Sequence, residues 1–132
     1  MKEWICAAAG TVGGLIAGLF GGWDTALATL LIFMAVDYAT GLIVAAAGRS
    51  PKGKLSSNIG WRGLAKKCVV LLLVLVAARL DDVLGIDYVR AGVCIAFICN
   101  EVISILENAG LMGVPLPTVL KNAVELLQKK EK

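Results

Sequence analysis

The sequence predicts an all-α integral membrane protein with four transmembrane helices, arranged as two hairpins, followed by a short C-terminal amphipathic helix. Of its 132 residues, 58% are hydrophobic and only 17% are charged, and the mean hydropathy is +0.82. Soluble domains are about half apolar and about a quarter charged, so this composition indicates a bilayer as the solvent. Four apolar segments and an alternating distribution of basic residues support the same fold class.

The apolar segments define the predicted spans at about 4–23, 25–48, 64–84 and 89–106. About 20 apolar residues form a helix of about 30 Å, which is the thickness of the hydrocarbon core. Residues 49–67 contain a proline, several glycines and a Ser-Ser-Asn cluster, so they are predicted to form a loop. The fourth span is the weakest, because Asn100 and Glu101 interrupt it, and the segment from Asn100 to Glu107 can alternatively tilt into the interface.

The basic residues indicate the orientation of the chain. The 49–67 loop contains basic residues and no acidic ones, and the tail 117–132 also has a basic excess. The two opposite connections carry mainly aspartates. Because positive charge marks the cytoplasmic side, four spans with both termini inside fit every connection, whereas three spans would place the basic tail outside. We therefore expect one multi-pass domain covering residues 1–132.

The composition argues against an enzyme. The chain has no histidine, which removes histidine-based zinc sites and Ser-His-Asp catalysis. The cysteines lie in apolar runs without close metal-ligand spacing and are expected to act as packing residues: Cys6, Cys68, Cys94 and Cys99. We expect no catalytic residues, no cofactor and no metal site. Since the basic loop already has a role in topology, we expect no nucleic-acid partner. The expected partners of the chain are the lipid bilayer and further copies of itself.

A glycine repeat marks the first predicted span. Gly10, Gly14, Gly18 and Gly22 recur at four-residue spacing, which gives a helix a flat face that another backbone can approach closely. Two interpretations remain open. The face either packs against the second span of the same chain or mediates self-association between copies.

Polar side chains within the predicted spans are the candidate functional residues. Asp37 lies near the middle of the second span, and the fourth span carries Asn100, Glu101, Ser104 and Glu107. Offsets of three and four residues bring side chains to one side of a helix. An ionisable group in hydrocarbon costs several kcal/mol unless it meets a partner or water, so these residues are candidates for helix assembly or for the wall of a pore. Glu107 is predicted near the cytoplasmic interface, which leaves Glu101 as the carboxylate of that span most in need of a partner.

Several short motifs, in this order, resemble the small phage holins that include clostridial phage holins and toxin-secretion holins. The resemblance runs from about Asp37 to Lys130, whereas the first span matches only in character. The motifs are Asp37-Tyr38-Ala39-Thr40-Gly41-Leu42, Leu55-Ser56-Ser57-Asn58 with Gly60, Gly63-Leu64 and Lys66-Lys67, Asn100-Glu101 with Ser104, Glu107 and Asn108, and Gly113 with Pro115 and Pro117.

This resemblance implies a homo-oligomer in the bacterial cytoplasmic membrane that permeabilises the membrane at a set time. The lesion would let an endolysin, or a large toxin, reach the far side. Two other functions remain open from the residues alone. One is a small ion channel or transporter subunit that uses Asp37 and Glu101 as ligands, and the other is a structural membrane assembly factor.

Overall fold

The described part of the chain folds entirely into α-helices and the turns between them. The computed structural model describes residues 1–131, without the side chains of Leu127, Gln128 and Glu131, so the predicted tail residue Lys132 lies outside it. The helices are α1 (Lys2–Leu19), α2 (Thr25–Ala46), α3 (Ser57–Leu84), α4 (Val89–Leu111) and α5 (Thr118–Glu131). The all-α class and the C-terminal helix are confirmed. By length and composition, α2 and α4 are apolar enough to cross a membrane.

Three helix boundaries differ from the predicted spans by four residues or more. Helix α1 ends at Leu19, because Gly21 and Gly22 adopt positive φ angles of 85° and 97° and turn the chain. Helix α3 begins at Ser57, so the second half of the predicted 49–67 loop is helical. The Ser56 hydroxyl caps this helix by accepting a hydrogen bond from the Ile59 amide at 3.3 Å. Helix α4 continues to Leu111, beyond the predicted end at residue 106.

The core lies where α2, α3 and α4 meet. It is formed by buried residues from all three helices: Leu27, Leu30, Met34, Val74, Cys94 and Ile98. Cys94 and Cys99 are buried, as expected of packing residues, whereas Cys6 and Cys68 are exposed. The three helices therefore form one packed body.

Helices α1 and α5 lie at the edge of this body. Helix α1 has no buried residue, and its helix-to-helix contacts within the described chain are with α3. Helix α5 packs on α4, where Val124 is buried. The C-terminal helix is thus docked on the bundle along one side, with exposed basic residues in its last turn.

The turn between α3 and α4 is fixed by an aspartate. Gly85 ends α3 in the left-handed conformation with φ 68°. Asp81, which is buried, then accepts hydrogen bonds from the Val89 amide at 2.9 Å and the Arg90 amide at 3.0 Å. These amides belong to the first turn of α4, where backbone donors have no partner within the helix. A side chain of α3 therefore caps α4 and sets the hairpin.

Replacing this cap should destabilise the bundle. We expect Asp81→Ala to lower the free energy of unfolding by about 1–2 kcal/mol, because it leaves two amides of α4 without an acceptor. The measurement is unfolding in detergent micelles, followed by circular dichroism. Asp82→Ala is the matched control, since Asp82 makes an exposed ion pair with Arg79 and should change stability by less than about 0.5 kcal/mol. Equal effects of the two substitutions would contradict the capping role.

Candidate functional site

A cation held between two carboxylates joins the three central helices. Lys67 of α3 lies 2.7 Å from Asp37 Oδ2 on α2 and 2.9 Å from Glu101 Oε2 on α4. Only 15%, 14% and 9% of the Lys67, Asp37 and Glu101 side chains are exposed. The lysine amine therefore donates to both carboxylates inside the bundle. With the polar side chains that contact them, these residues are called the charge cluster below.

Asp37 is the most heavily hydrogen-bonded member of the charge cluster. The Ser104 hydroxyl donates to Asp37 Oδ1 at 2.5 Å, and the Asn108 amide donates to the same oxygen at 3.2 Å. Asn108 also donates to the Thr40 hydroxyl at 2.9 Å. Ser104 and Asn108 lie on α4, four residues apart, so they present one face of that helix to α2. Asp37 thus receives donors from both neighbouring helices.

The charge cluster lies at the middle of α2 and α4, the helices apolar enough to cross a membrane. Asp37 is 12 residues from the start of α2 and Glu101 is 12 residues from the start of α4, or about 18 Å along each helix. At that position in a membrane, charged groups are costly unless they pair and are hydrogen-bonded. One cation and two carboxylates meet here. The pairing explains how apolar helices carry these residues.

Small residues of α3 bring Lys67 to this position. Gly60, Gly63 and Lys67 share one face of the helix, with spacings of three and four. The Tyr38 hydroxyl donates to the Gly60 carbonyl at 3.0 Å. A Cβ at Gly60 would lie 3.2 Å from the Tyr38 hydroxyl oxygen, and one at Gly63 would lie 3.4 Å from the Tyr38 ring. The two glycines therefore let α3 approach Tyr38, next to Asp37, and this approach positions the lysine.

A second buried cation lies at the start of α4. Arg90, 8% exposed, forms an ion pair with Asp24 at 2.8 Å. Its guanidinium also donates to the Phe20 carbonyl and, at 3.2 Å, to the Gly22 carbonyl. We call this group the Arg90 clamp. The hydrogen bond from Arg90 holds the pKa of Asp24 below its ordinary value. The clamp fastens the α1–α2 turn to the start of α4.

The structure groups only some of the predicted site residues. Asp37, Glu101 and Ser104 come together in the charge cluster, as their shared chemistry suggested. Asn100 and Glu107 are both exposed. Neither side chain makes a hydrogen bond or an ion pair with a described residue of the charge cluster.

The predicted glycine face has no partner within the described chain. A Cβ at Gly10, Gly14 or Gly18 would meet nothing within 4 Å, so α1 does not pack against α2 through this face. Gly22 lies beyond the end of α1, in the turn, where its carbonyl accepts the Arg90 hydrogen bond. The repeat on the helix is therefore one glycine shorter than predicted, and its face is open.

Sequence reasoning missed both buried cations as site residues. Lys67 ends the basic 49–67 segment, which indicates topology, and Arg90 lies next to the aspartate-containing connection between the third and fourth spans. A signal for Lys67 was present, because Gly60, Gly63, Lys67, Val70 and Val74 follow one another at intervals of three and four. The signal for Arg90 was weaker, since its partners lie about 70 residues away.

The fold and the charge cluster define a class: a membrane protein of packed α-helices, with ion pairs enclosed between helices apolar enough to cross a bilayer. Comparison with known proteins gives the family. The chain belongs to the bacteriophage holin family, whose sequence model matches residues 14–129. This match confirms the resemblance to phage holins found in the short motifs.

Individual relatives cover most of the chain. A 14.9 kDa protein of Clostridium perfringens is 42% identical over 123 residues, which cover 92% of this chain and 90% of the relative. A Listeria monocytogenes protein is 40% identical over 119 residues, or 89% of this chain and 82% of the relative. A protein of Bacillus phage phi105, named a probable holin, is 30% identical over 100 residues, or 75% and 71%. No solved structure matches the chain.

Removing the Lys67 charge should lower the stability of the bundle more than removing an exposed charge does. We expect Lys67→Met to lower the free energy of unfolding by about 3–5 kcal/mol, because two buried carboxylates lose their shared partner. The measurement is unfolding in detergent micelles. Lys66→Met is the matched control, since Lys66 is the exposed neighbour and should change little. A Lys67→Met protein as stable as the control would contradict the central position given to this lysine.

Proposed function

We propose that this chain is a holin that accumulates in the bacterial cytoplasmic membrane, oligomerises, and permeabilises the membrane at a set time. An endolysin, or a large toxin, would then cross the lesion without needing to contact the holin. Family membership supports the holin role, and holins are not enzymes. The observation that carries the mechanism is the charge cluster at the middle of two apolar helices.

The charge cluster supports a two-state mechanism. A holin must be stable in intact lipid and also as the wall of a water-filled lesion. In the closed state the carboxylates and Lys67 satisfy one another inside the bundle. In the open state the same groups face water, which removes the cost of burying them. Separation of α2, α3 and α4 at the cluster is therefore our proposed opening step.

The membrane topology in this proposal has four crossing helices, α1 to α4, in two hairpins. Both termini and the 49–57 connection lie in the cytoplasm, in agreement with the positive charge there. This orientation places the Arg90 clamp and the α3–α4 turn at the outer face. It also places the charge cluster near the middle of the hydrocarbon core, with α5 on the cytoplasmic side.

Self-association in this proposal uses α1. A Cβ at Gly10, Gly14 or Gly18 would meet no atom of another described helix within 4 Å. In lipid, close approach of backbones through small residues supplies the packing that drives helix association. The open face thus favours contact between copies over packing within one chain.

Two other functions fit less well. A channel or transporter that binds ions at Asp37 and Glu101 would need space between these carboxylates, and Lys67 occupies it. Such a protein would show steady, selective conductance and would not pass folded protein. A structural assembly factor would have no effect when expressed alone.

Expression beside a cytoplasmic muralytic enzyme tests the holin function directly. We expect normal growth, then abrupt lysis after a delay, with the culture turbidity falling within minutes. The chain without the enzyme should stop growth and depolarise the membrane at the same time point. Slow leakage or continued growth in the presence of the enzyme would contradict the proposal.

The delay before lysis should depend on Glu101. Glu101→Gln leaves a one-to-one pair of Lys67 and Asp37, which is cheaper to bury than one cation with two carboxylates, so the closed state gains stability. About 1 kcal/mol would slow opening about fivefold, and lysis should come later. Glu107→Gln is the matched control, because Glu107 is exposed on the same helix and should leave the timing unchanged. Equal timing in the two variants would contradict the role of the charge cluster.

A bulky residue on the open face of α1 should block self-association without unfolding the chain. We expect Gly14→Leu to reduce chemical crosslinking between copies in membranes at least severalfold and to abolish lysis, with unfolding in micelles unchanged. Ala8→Leu, also exposed and about 200° around the helix from Gly10, is the control and should crosslink normally. Normal crosslinking of Gly14→Leu would place the interface elsewhere.

A further inference from the structure

The first turns of α3 have two chemically different faces. The inner face carries Gly60, Gly63 and Lys67, which pack on Tyr38 and join the charge cluster. The outer face carries Trp61, which is 71% exposed, and Arg62, which is also exposed. Because the inner contacts fix the rotation of the helix, the outer side chains are held away from the bundle.

The outer face of α3 continues into an apolar stripe. Val69, Leu72 and Val76 follow Trp61 at helical spacing and are 54%, 57% and 53% exposed. In a membrane protein, an exposed apolar helix face of this kind meets lipid chains. Trp61 lies two turns before Val69, at the end of the stripe, which is where tryptophan side chains lie at the membrane interface.

Only two of the basic residues between positions 49 and 67 have side-chain contacts with polar groups of the described chain. Lys67 belongs to the charge cluster, and Arg49 donates to the Leu111 carbonyl at 3.4 Å. The remaining basic residues of this segment are exposed, and none of them has an ion pair with a described residue: Lys52, Lys54, Arg62 and Lys66. No acidic residue lies between positions 49 and 67. Several unpaired positive charges therefore lie close to the tryptophan in the sequence, and no acidic residue lies among them.

We propose that Lys52, Lys54, Arg62 and Trp61 form a docking surface for the phosphate headgroups of anionic phospholipids. This anionic-lipid surface rests on the proposed function, because it requires the membrane topology given there. Basic residues next to a span attract anionic lipid, and their long side chains reach the headgroups from the helix. A nucleic acid would match the charge as well, but it would not account for the continuous apolar stripe that follows Trp61.

Fluorescence quenching by brominated lipids tests this proposal on the full-length protein. In a Trp4→Phe, Trp23→Phe variant, Trp61 is the only tryptophan. This protein is reconstituted in mixtures of phosphatidylglycerol and phosphatidylcholine in which one lipid or the other is brominated. We expect phosphatidylglycerol to occupy the sites next to Trp61 with about fivefold preference, which high salt weakens. Replacing Lys52, Lys54 and Arg62 together by glutamine should remove the preference, whereas Lys121→Gln, Lys129→Gln and Lys130→Gln together should leave it.

Each other outcome overturns the anionic-lipid surface in a distinct way. Equal quenching by the two brominated lipids would show that Trp61 meets lipid without headgroup preference, and it would leave the holin function intact. Absence of quenching by either lipid would place Trp61 outside the membrane interface and would also count against the proposed topology. If an oligonucleotide abolished the preference at equal phosphate concentration, a nucleic-acid surface would replace the lipid one.

Discussion

The contact between Lys67 and two carboxylates is the constraint on which the rest of this fold depends. Asp37 and Glu101 stand at the middle of helices that are otherwise suited to lipid, so each needs a partner that the helix itself does not supply. A single lysine serves both, at 2.7 and 2.9 Å. Its position requires Gly60 and Gly63 on the same face, so that α3 approaches Tyr38. This one contact therefore joins α2, α3 and α4.

The remaining elements are attached to this three-helix body at few points. The Arg90 clamp fastens the turn that follows α1. The glycine face of α1 itself is open. In the proposed mechanism, these features have different tasks. The charge cluster keeps the body closed, and α1 connects copies. A chain built in this way can assemble in the membrane before its central helices separate.

Much of this arrangement was accessible from sequence, and the missing part has a physical cause. The hydropathy pattern and the basic segments predicted an all-α membrane protein. The free-energy cost of burying a charge identified Asp37 and Glu101 as residues in need of partners. Intrahelical spacing also grouped Ser104 with Glu101 correctly. It did not identify Lys67 or Arg90, because a partner on another helix depends on how helices rotate and pack. The same limitation placed Asn100 with the cluster, although it is exposed.

The central claim is that the charge cluster is enclosed before lysis and meets water afterwards. Ser104→Cys, in a background where the four native cysteines are replaced by alanine or serine, places a thiol beside Asp37. Its reaction with a membrane-impermeant, charged thiol reagent is measured in cells before and after the onset of lysis. The account predicts protection before onset and rapid labelling afterwards. Equal labelling at both times, or protection at both times, would contradict it.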